Sequence, residues 1–151
     1  MLFVCLGNIC RSPTGEGVFQ ALLQSNNLEE YFHVDSAGTI GYHTGHEADE
    51  RMQAAAARRG YQLLSRSRKI TRDDLENFDL VIAMDRENFR DIGQLHESPS
   101  ATIKLLSDFL DERWPTDVPD PYYGGAAGFE YVLDMIEAAC PEILNYLQTS
   151  G

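Results

Sequence analysis

Short apolar runs alternate along the chain with segments of helical period. Residues 1–5 (MLFVC) are apolar throughout and stop at Gly7-Asn8, the pattern of a buried strand entering a loop. Val18, Phe19, Leu22 and Leu23 then recur at helical spacing, and Ser12-Pro13 ahead of them supplies a capping hydroxyl and a proline where a helix begins. Gly15 and Gly17 each weaken that opening turn by ~1 kcal/mol relative to Ala, a cost that tight packing near the loop would explain. Residues 32–37 have strand character. Residues 47–59 read as a helix with Met52, Ala55, Ala56 and Ala57 available for burial, stopped by Gly60. Thr71 and Asp74 form a capping pair for a short helix ending at Asn77. Leu80-Val81-Ile82-Ala83 is the unbroken run expected of a strand covered on both faces. A further short helix over residues 86–92 and a weaker fourth strand over 103–106 follow. Pro, Asp, Gly and Tyr then dominate a long loop over residues 111–128, and residues 129–147 close the chain as an amphipathic helix.

Strands alternating with helices predict an α/β fold of three layers: a four-stranded parallel sheet with helices on both faces. The chain has 151 residues, 43% of them apolar, enough for one buried core, and no repeat or linker divides it. We therefore expect a single domain over residues 1–151.

Charge narrows the partners. Twenty-four acidic side chains against 12 Lys plus Arg give a net charge of −12, which repels a polyanion at long range and argues against nucleic acid. No apolar run approaches the ~20 residues needed to span a bilayer, so no membrane association is expected. Three cysteines, Cys5, Cys10 and Cys140, are an odd and sparse set that reads as reduced thiols in a cytoplasmic protein. Residues 51–72 hold seven basic side chains and no acid, whereas residues 105–151 hold nine acids against Arg113 alone. These runs read as solvated faces. Residues 1–25, by contrast, carry only Arg11 and Glu16.

Within that nearly uncharged stretch lies the sharpest chemical signal, Cys5-Leu6-Gly7-Asn8-Ile9-Cys10-Arg11-Ser12, a C-x5-R-S sequence between a strand and a helix. Parallel sheets bind ligands at the carboxyl ends of their strands, and the helix that follows presents unsatisfied N–H groups and the positive end of its dipole. A loop from Cys5 to Arg11 can curl its amides around a tetrahedral oxyanion while Arg11 adds a two-pronged fork. Gly7 and Asn8 are residue types that tolerate the positive φ a tight curl needs. The same donors favour Cys5 as the nucleophilic thiolate, and the Ser12 hydroxyl adds a hydrogen bond to its sulfur. Other loop chemistries fail. A Walker loop lacks its Gly-Lys-Ser/Thr, four residues rather than two separate Cys5 from Cys10, and no second ligand pair completes a zinc site. His43-x-x-His46 has no metal partner and reads as surface loop. No cofactor or metal is expected. The proximity of Cys10 to Cys5 suggests a reversible disulfide that shields the nucleophile from overoxidation.

Cleaving a phosphate ester also needs a proton for the leaving oxygen. Asp120-Pro121-Tyr122-Tyr123 lies in the long loop that precedes the last helix, where Pro121 holds Asp120 extended and the two tyrosines supply aromatic walls. Asp117 is a nearby competitor, and spacing does not choose between the two.

The segments LFVCLGNICRSP, DSAGT (residues 35–39), FDLVIAMD (78–85) and DPYYGG (120–125) together resemble the low-molecular-weight protein tyrosine phosphatases, and the similarity runs along essentially the whole chain. The resemblance implies hydrolysis of phosphotyrosine in proteins or peptides, and of small aryl phosphates, through a phosphocysteine on Cys5. It gives Arg11 the transition state to clamp and Asp120 the role of acid and then base. Leu6, Gly7, Asn8, Ile9, Cys10 and Ser12 would form and support the phosphate loop with Ser36, while Tyr42, Tyr122 and Tyr123 would line the cleft. Two relatives by resemblance are less well matched. Arsenate reductases of this fold need further redox cysteines, and protein-arginine phosphatases typically carry Thr where this chain has Ile9. A binding module that keeps the loop without turnover would have no use for Asp120.

Overall fold

The computed structural model describes residues 1–150. Four strands, β1 (Leu2–Cys5), β2 (Asp35–Gly38), β3 (Leu80–Ala83) and β4 (Thr102–Leu105), form one wholly parallel sheet in the order β2-β1-β3-β4. The two middle strands are apolar at every position, as burial on both faces demands. Their side chains divide by alternation. Phe3, Cys5, Leu80 and Ile82 point into one core layer, and Leu2, Val4, Val81 and Ala83 into the other.

Helices α1 (Arg11–Ser25), α2 (Glu50–Ala57) and α5 (Ala126–Ser150) cover the first face, packing Val18, Phe19, Met52, Phe129 and Ile136 around Phe3. Helices α3 (Arg72–Asn77) and α4 (Arg86–Leu95) cover the second with Leu75 and Ile92. Phe3 has no exposed surface and stacks edge-on against Phe19, so Phe3→Ala should cost about 3–5 kcal/mol. Gly15 on α1 lies against that ring: a Cβ there would sit 2.7 Å from Phe3 Cδ1, and one at Gly17 would sit 2.7 Å from Leu63. Close packing thus explains both helical glycines. Among the described residues no helix is long and apolar enough to cross a membrane.

The expected elements are all present, with displaced ends. The second strand begins at Asp35 rather than residue 32, because only from there does the backbone pair with Leu2 onward. Helix α2 starts at Glu50, since Asp49 caps it by accepting from the N–H groups of Arg51 and Met52; Ala57 at its end is exposed. Thr71 and Asp74 make the reciprocal cap of α3. Ser12 does not cap α1, because the helix already begins at Arg11, placing the hydroxyl inside the first turn, where it serves Cys5 instead.

Most bases of the basic run pair with acids, two of them with the acidic run and the others with nearby carboxylates. Arg59 on the α2 side bonds Glu130, Asp134 and Glu137 of α5; Arg58 joins Glu130, and Arg68 joins Asp35 and Asp74. The basic segment is therefore a set of ties to acidic elements more than a free positive face.

Candidate active site

The phosphate loop leaves β1 at Cys5 and enters α1 at Arg11, at the carboxyl end of the sheet where β1 lies between β2 and β3. Its closest support is β2. Thr39 and Ile40 donate their N–H groups to the carbonyls of Cys5 and Leu6 at 2.9 and 3.1 Å. A Cβ on Gly38 would fall 2.7 Å from the Leu6 carbonyl oxygen, so only glycine admits this approach.

Asn8 makes the turn. It holds φ at +58° and is 1% exposed, and every polar atom of its side chain is used. Its Nδ2 donates to Ser12 Oγ at 2.8 Å and Ser36 Oγ at 3.0 Å, while Oδ1 accepts from the Arg68 N–H at 2.9 Å. Gly7, the other residue expected at positive φ, does not adopt it; a Cβ there would lie 3.0 Å from the His43 ring, a tight contact. The Ser36 Oγ in turn donates a hydrogen bond to Glu16 Oε1 at 2.6 Å. Burial raises the pKa of Glu16 on balance, against the hydrogen bonds from Ser36 and Ser65.

Donors converge on the Cys5 sulfur. The Asn8 N–H lies 3.3 Å from Sγ and the Ser12 Oγ 3.0 Å. Ser12 already accepts from Asn8, so its single proton is shared between Cys5 and the Ala37 carbonyl at 3.3 Å, and a thiolate is the stronger acceptor. Cys10 lies beside Cys5 in the cleft floor. Burial, then the negative charges of Asp49, Cys5 and Asp120, push its thiol pKa far up, so it stays protonated. All three cysteines are free.

Arg11 is 3% exposed and its fork is aimed by partners distant in sequence. Nη1 donates to Asp85 Oδ2 at 2.6 Å and to the Val118 carbonyl at 3.0 Å, and Nη2 lies 3.6 Å from Asp120 Oδ2. Burial opposes the guanidinium charge, but Cys5 and Asp85 outweigh it and the pKa is raised. Asp85 is one residue of the site that sequence reading passes over. It lies in the FDLVIAMD segment, yet nothing local marks it beyond its capping of α4 through the Asn88 N–H.

The two aspartates face different partners. Asp120 faces the cleft beside Arg11, and its Oδ1 accepts from the Tyr122 N–H at 3.1 Å. Asp117 is turned to Arg86, whose Nη2 meets its Oδ2 at 3.0 Å and whose hydrogen bonds hold the carboxyl below its ordinary range. Asp117 is thus spent on tethering α4.

The cleft above the loop holds about 290 Å³, with Cys5, Leu6, Gly7, Ile9, Cys10 and Arg11 in its floor and Ile40, Tyr42, His43, Asp120, Tyr122 and Tyr123 in its walls. Tyr42 and Tyr123 are 82% and 94% exposed and form the rim. Asn8, Ser12 and Ser36 stand behind the floor as support. His43, read from sequence as a surface residue, packs edge-on against Tyr42 with ring centres 4.8 Å apart and approaches Tyr122 at 6.3 Å, so it is a cleft wall. Among the described residues no group of three or more His, Cys, Asp or Glu side chains is arranged to hold a metal ion.

A buried fork, a cysteine at the head of the loop and a carboxyl share one cleft, an arrangement suited to a phosphoryl group. The sequence profile described as low molecular weight phosphotyrosine protein phosphatase matches residues 1–151. The chain belongs to the low molecular weight phosphotyrosine protein phosphatase family. It is therefore a protein-tyrosine phosphatase, a hydrolase whose family works through a phosphocysteine intermediate. It is 42% identical to a putative low molecular weight protein-tyrosine-phosphatase of Synechocystis over 153 aligned positions, covering 97% of this chain and 95% of that one. A crystal structure of protein tyrosine phosphatase from Entamoeba histolytica superposes with a TM-score of 0.94 at 43% identity, covering 99% and 96% of the two chains. A drosophila arginine phosphatase superposes with a TM-score of 0.91 at 30% identity over 99% and 98%.

Proposed function

We propose that this phosphatase cleaves phosphotyrosine in proteins or peptides by attack of Cys5 on phosphorus, with Arg11 and the loop amides binding the equatorial oxygens. The observation that carries this assignment is the convergence on one cleft of Cys5, Arg11 and Asp120. Asp120 gives its proton to the departing phenol oxygen, and the phosphoryl group is left on Cys5. Asp120, now a carboxylate, takes a proton from the incoming water as the S–P bond breaks. Ser12 donates to the sulfur at both stages, easing its departure in the second.

The walls support an aromatic substrate. Ile9, Tyr42, His43 and Tyr122 offer flat or branched surfaces to a phenol ring, and the phosphate reaches a floor supplied with neutral amides and one guanidinium. That floor also reconciles anion binding with the net charge of −12, because oriented donors act at contact distance while remote carboxylates are screened over a Debye length of ~8 Å.

Turnover of an aryl phosphate tests the assignment. Cys5→Ser should abolish it, and Asp120→Asn should retain binding while slowing cleavage by roughly 10²-fold or more. Full activity in Cys5→Ser would refute the mechanism.

A further inference from the structure

The segment carrying Asp120, residues 119–125, has few attachments to the rest of the molecule. Val118 ahead of it is fixed, donating to the Met84 carbonyl at 2.9 Å and accepting from Arg11. Within the segment, Gly124 bonds back only to the Pro121 carbonyl. Among the described residues, two side chains from elsewhere reach it through hydrogen bonds or ion pairs. One is Arg11, with Nη2 3.6 Å from Asp120; the other is Arg51, with Nη2 donating to the Tyr122 carbonyl at 3.0 Å.

The two anchors are not equivalent. The Arg11 fork is the ligand of the phosphoryl group, so an incoming dianion competes with Asp120 for it. Arg51 has no such second duty and is gripped on several sides. Asp49 takes its Nε at 3.1 Å and its Nη2 at 2.9 Å, and the guanidinium lies over the rings of Phe129 and Tyr122 at 4.8 and 5.4 Å. The Asp49 N–H in turn donates to the carbonyl of Ile9, in the phosphate loop, at 2.8 Å. A line of hydrogen bonds therefore runs from Ile9 through Asp49 and Arg51 to the Tyr122 carbonyl, and the N–H of the same residue, one peptide group earlier, holds Asp120 Oδ1 at 3.1 Å.

We infer that Arg51 is a positioning residue that fixes the Asp120 carboxyl relative to the phosphate loop, through the backbone of Tyr122. A displacement of about 1 Å in such a group costs on the order of 10²-fold in rate, so one tether on a sparsely held loop matters.

The inference rests on Asp120 as the acid, and the experiment separates the two. The quantity compared is kcat/KM, which covers the steps up to departure of the phenol, on phosphotyrosine, whose phenolate needs a proton, and on a dinitrophenyl phosphate, whose phenolate leaves without one. Arg51→Met should lower the phosphotyrosine value roughly tenfold more than the activated ester. In an Asp120→Asn background it should add little to that gap, as expected of residues acting through one group. Equal losses on the two esters, or a gap that adds fully to that of Asp120→Asn, would overturn the inference and leave the role of Asp120 standing. An Asp120→Asn variant with no gap would overturn both. Arg51→Lys, which keeps the charge beside Asp49 and loses the fork, should show the same gap as Arg51→Met; full rescue by lysine would reject positioning by the fork.

Discussion

Arg11 and Asp85, 74 positions apart, are joined by a 2.6 Å contact from Nη1 to Oδ2. This pair turns a flexible side chain into a fixed fork. Nη1 is spent on Asp85 and the Val118 carbonyl, so the remaining edge of the guanidinium is presented to the cleft. Asp85→Ala should lower kcat/KM on an aryl phosphate about tenfold and weaken inhibition by inorganic phosphate in parallel, because the fork is no longer pre-organised. It should also destabilise the protein by about 3 kcal/mol, from an unpaired buried charge and a lost cap on α4. A variant with unchanged phosphate affinity would show that Asp85 serves folding alone.

Specificity should follow the floor and walls of the cleft. Ile9 presents a branched apolar side chain to the substrate, which suits a phenol ring better than a charged guanidinium. Phosphotyrosine should be hydrolysed with a catalytic efficiency well above that for phosphoarginine, and Ile9→Thr should narrow the difference. Comparable efficiencies on the two substrates in the unmodified enzyme would contradict this reading of the cleft.

The Glu16 carboxyl gives a stability prediction with a definite sign. Its folded pKa is raised by burial, so the folded state holds its proton more tightly than the unfolded chain does. Between the two pKa values stability falls as pH rises, and above both the full cost of burying the charge is present. Glu16→Gln keeps an acceptor for Ser36 and removes that charge. Its melting temperature relative to the unmodified protein should therefore increase from acid to neutral pH, as differential scanning calorimetry can follow. A constant difference across that range would mean that Glu16 does not titrate differently on folding.

Cys10 should respond slowly to oxidation of its neighbour. Peroxide converts the Cys5 thiolate to a sulfenic acid, and condensation with the Cys10 thiol forms the disulfide and releases water. Because the Cys10 pKa is pushed far up, its thiolate fraction rises tenfold per pH unit through the neutral range, and bridge formation should accelerate with pH. Mass spectrometry after mild peroxide treatment reads the products. Direct passage of Cys5 to sulfinic acid, with no Cys5-Cys10 bridge at any pH, would rule out the protective disulfide.

How much of this was legible in the sequence depends on how local each signal is. The strand-loop-helix around Cys5 is written in consecutive residues, as are the Thr71 cap and the apolar run of β3. The roles of Asp85, Arg51 and His43 are not. Each depends on a partner brought near by the crossovers of the sheet: Asp85 on Arg11, Arg51 on Tyr122, His43 on Gly7. The same limit kept spacing from choosing between Asp117 and Asp120, where only the resemblance favoured Asp120, because their partners Arg86 and Arg11 are far off in sequence. Ser12 illustrates the opposite error. Ser-Pro before an apolar helix is a sound local signal for a cap, but the hydroxyl meets the Cys5 sulfur instead, and the helix begins at Arg11 with Cys10 in the cap position.

The central claim is that the phosphoryl group passes through Cys5. Rapid acid quench of Asp120→Asn with a phosphotyrosine peptide, followed by peptide mapping, should find phosphate on the peptide containing Cys5, appearing before free phosphate and absent from Cys5→Ser. Phosphate mapped to another residue, or free phosphate released at full rate by Cys5→Ser, would contradict the account.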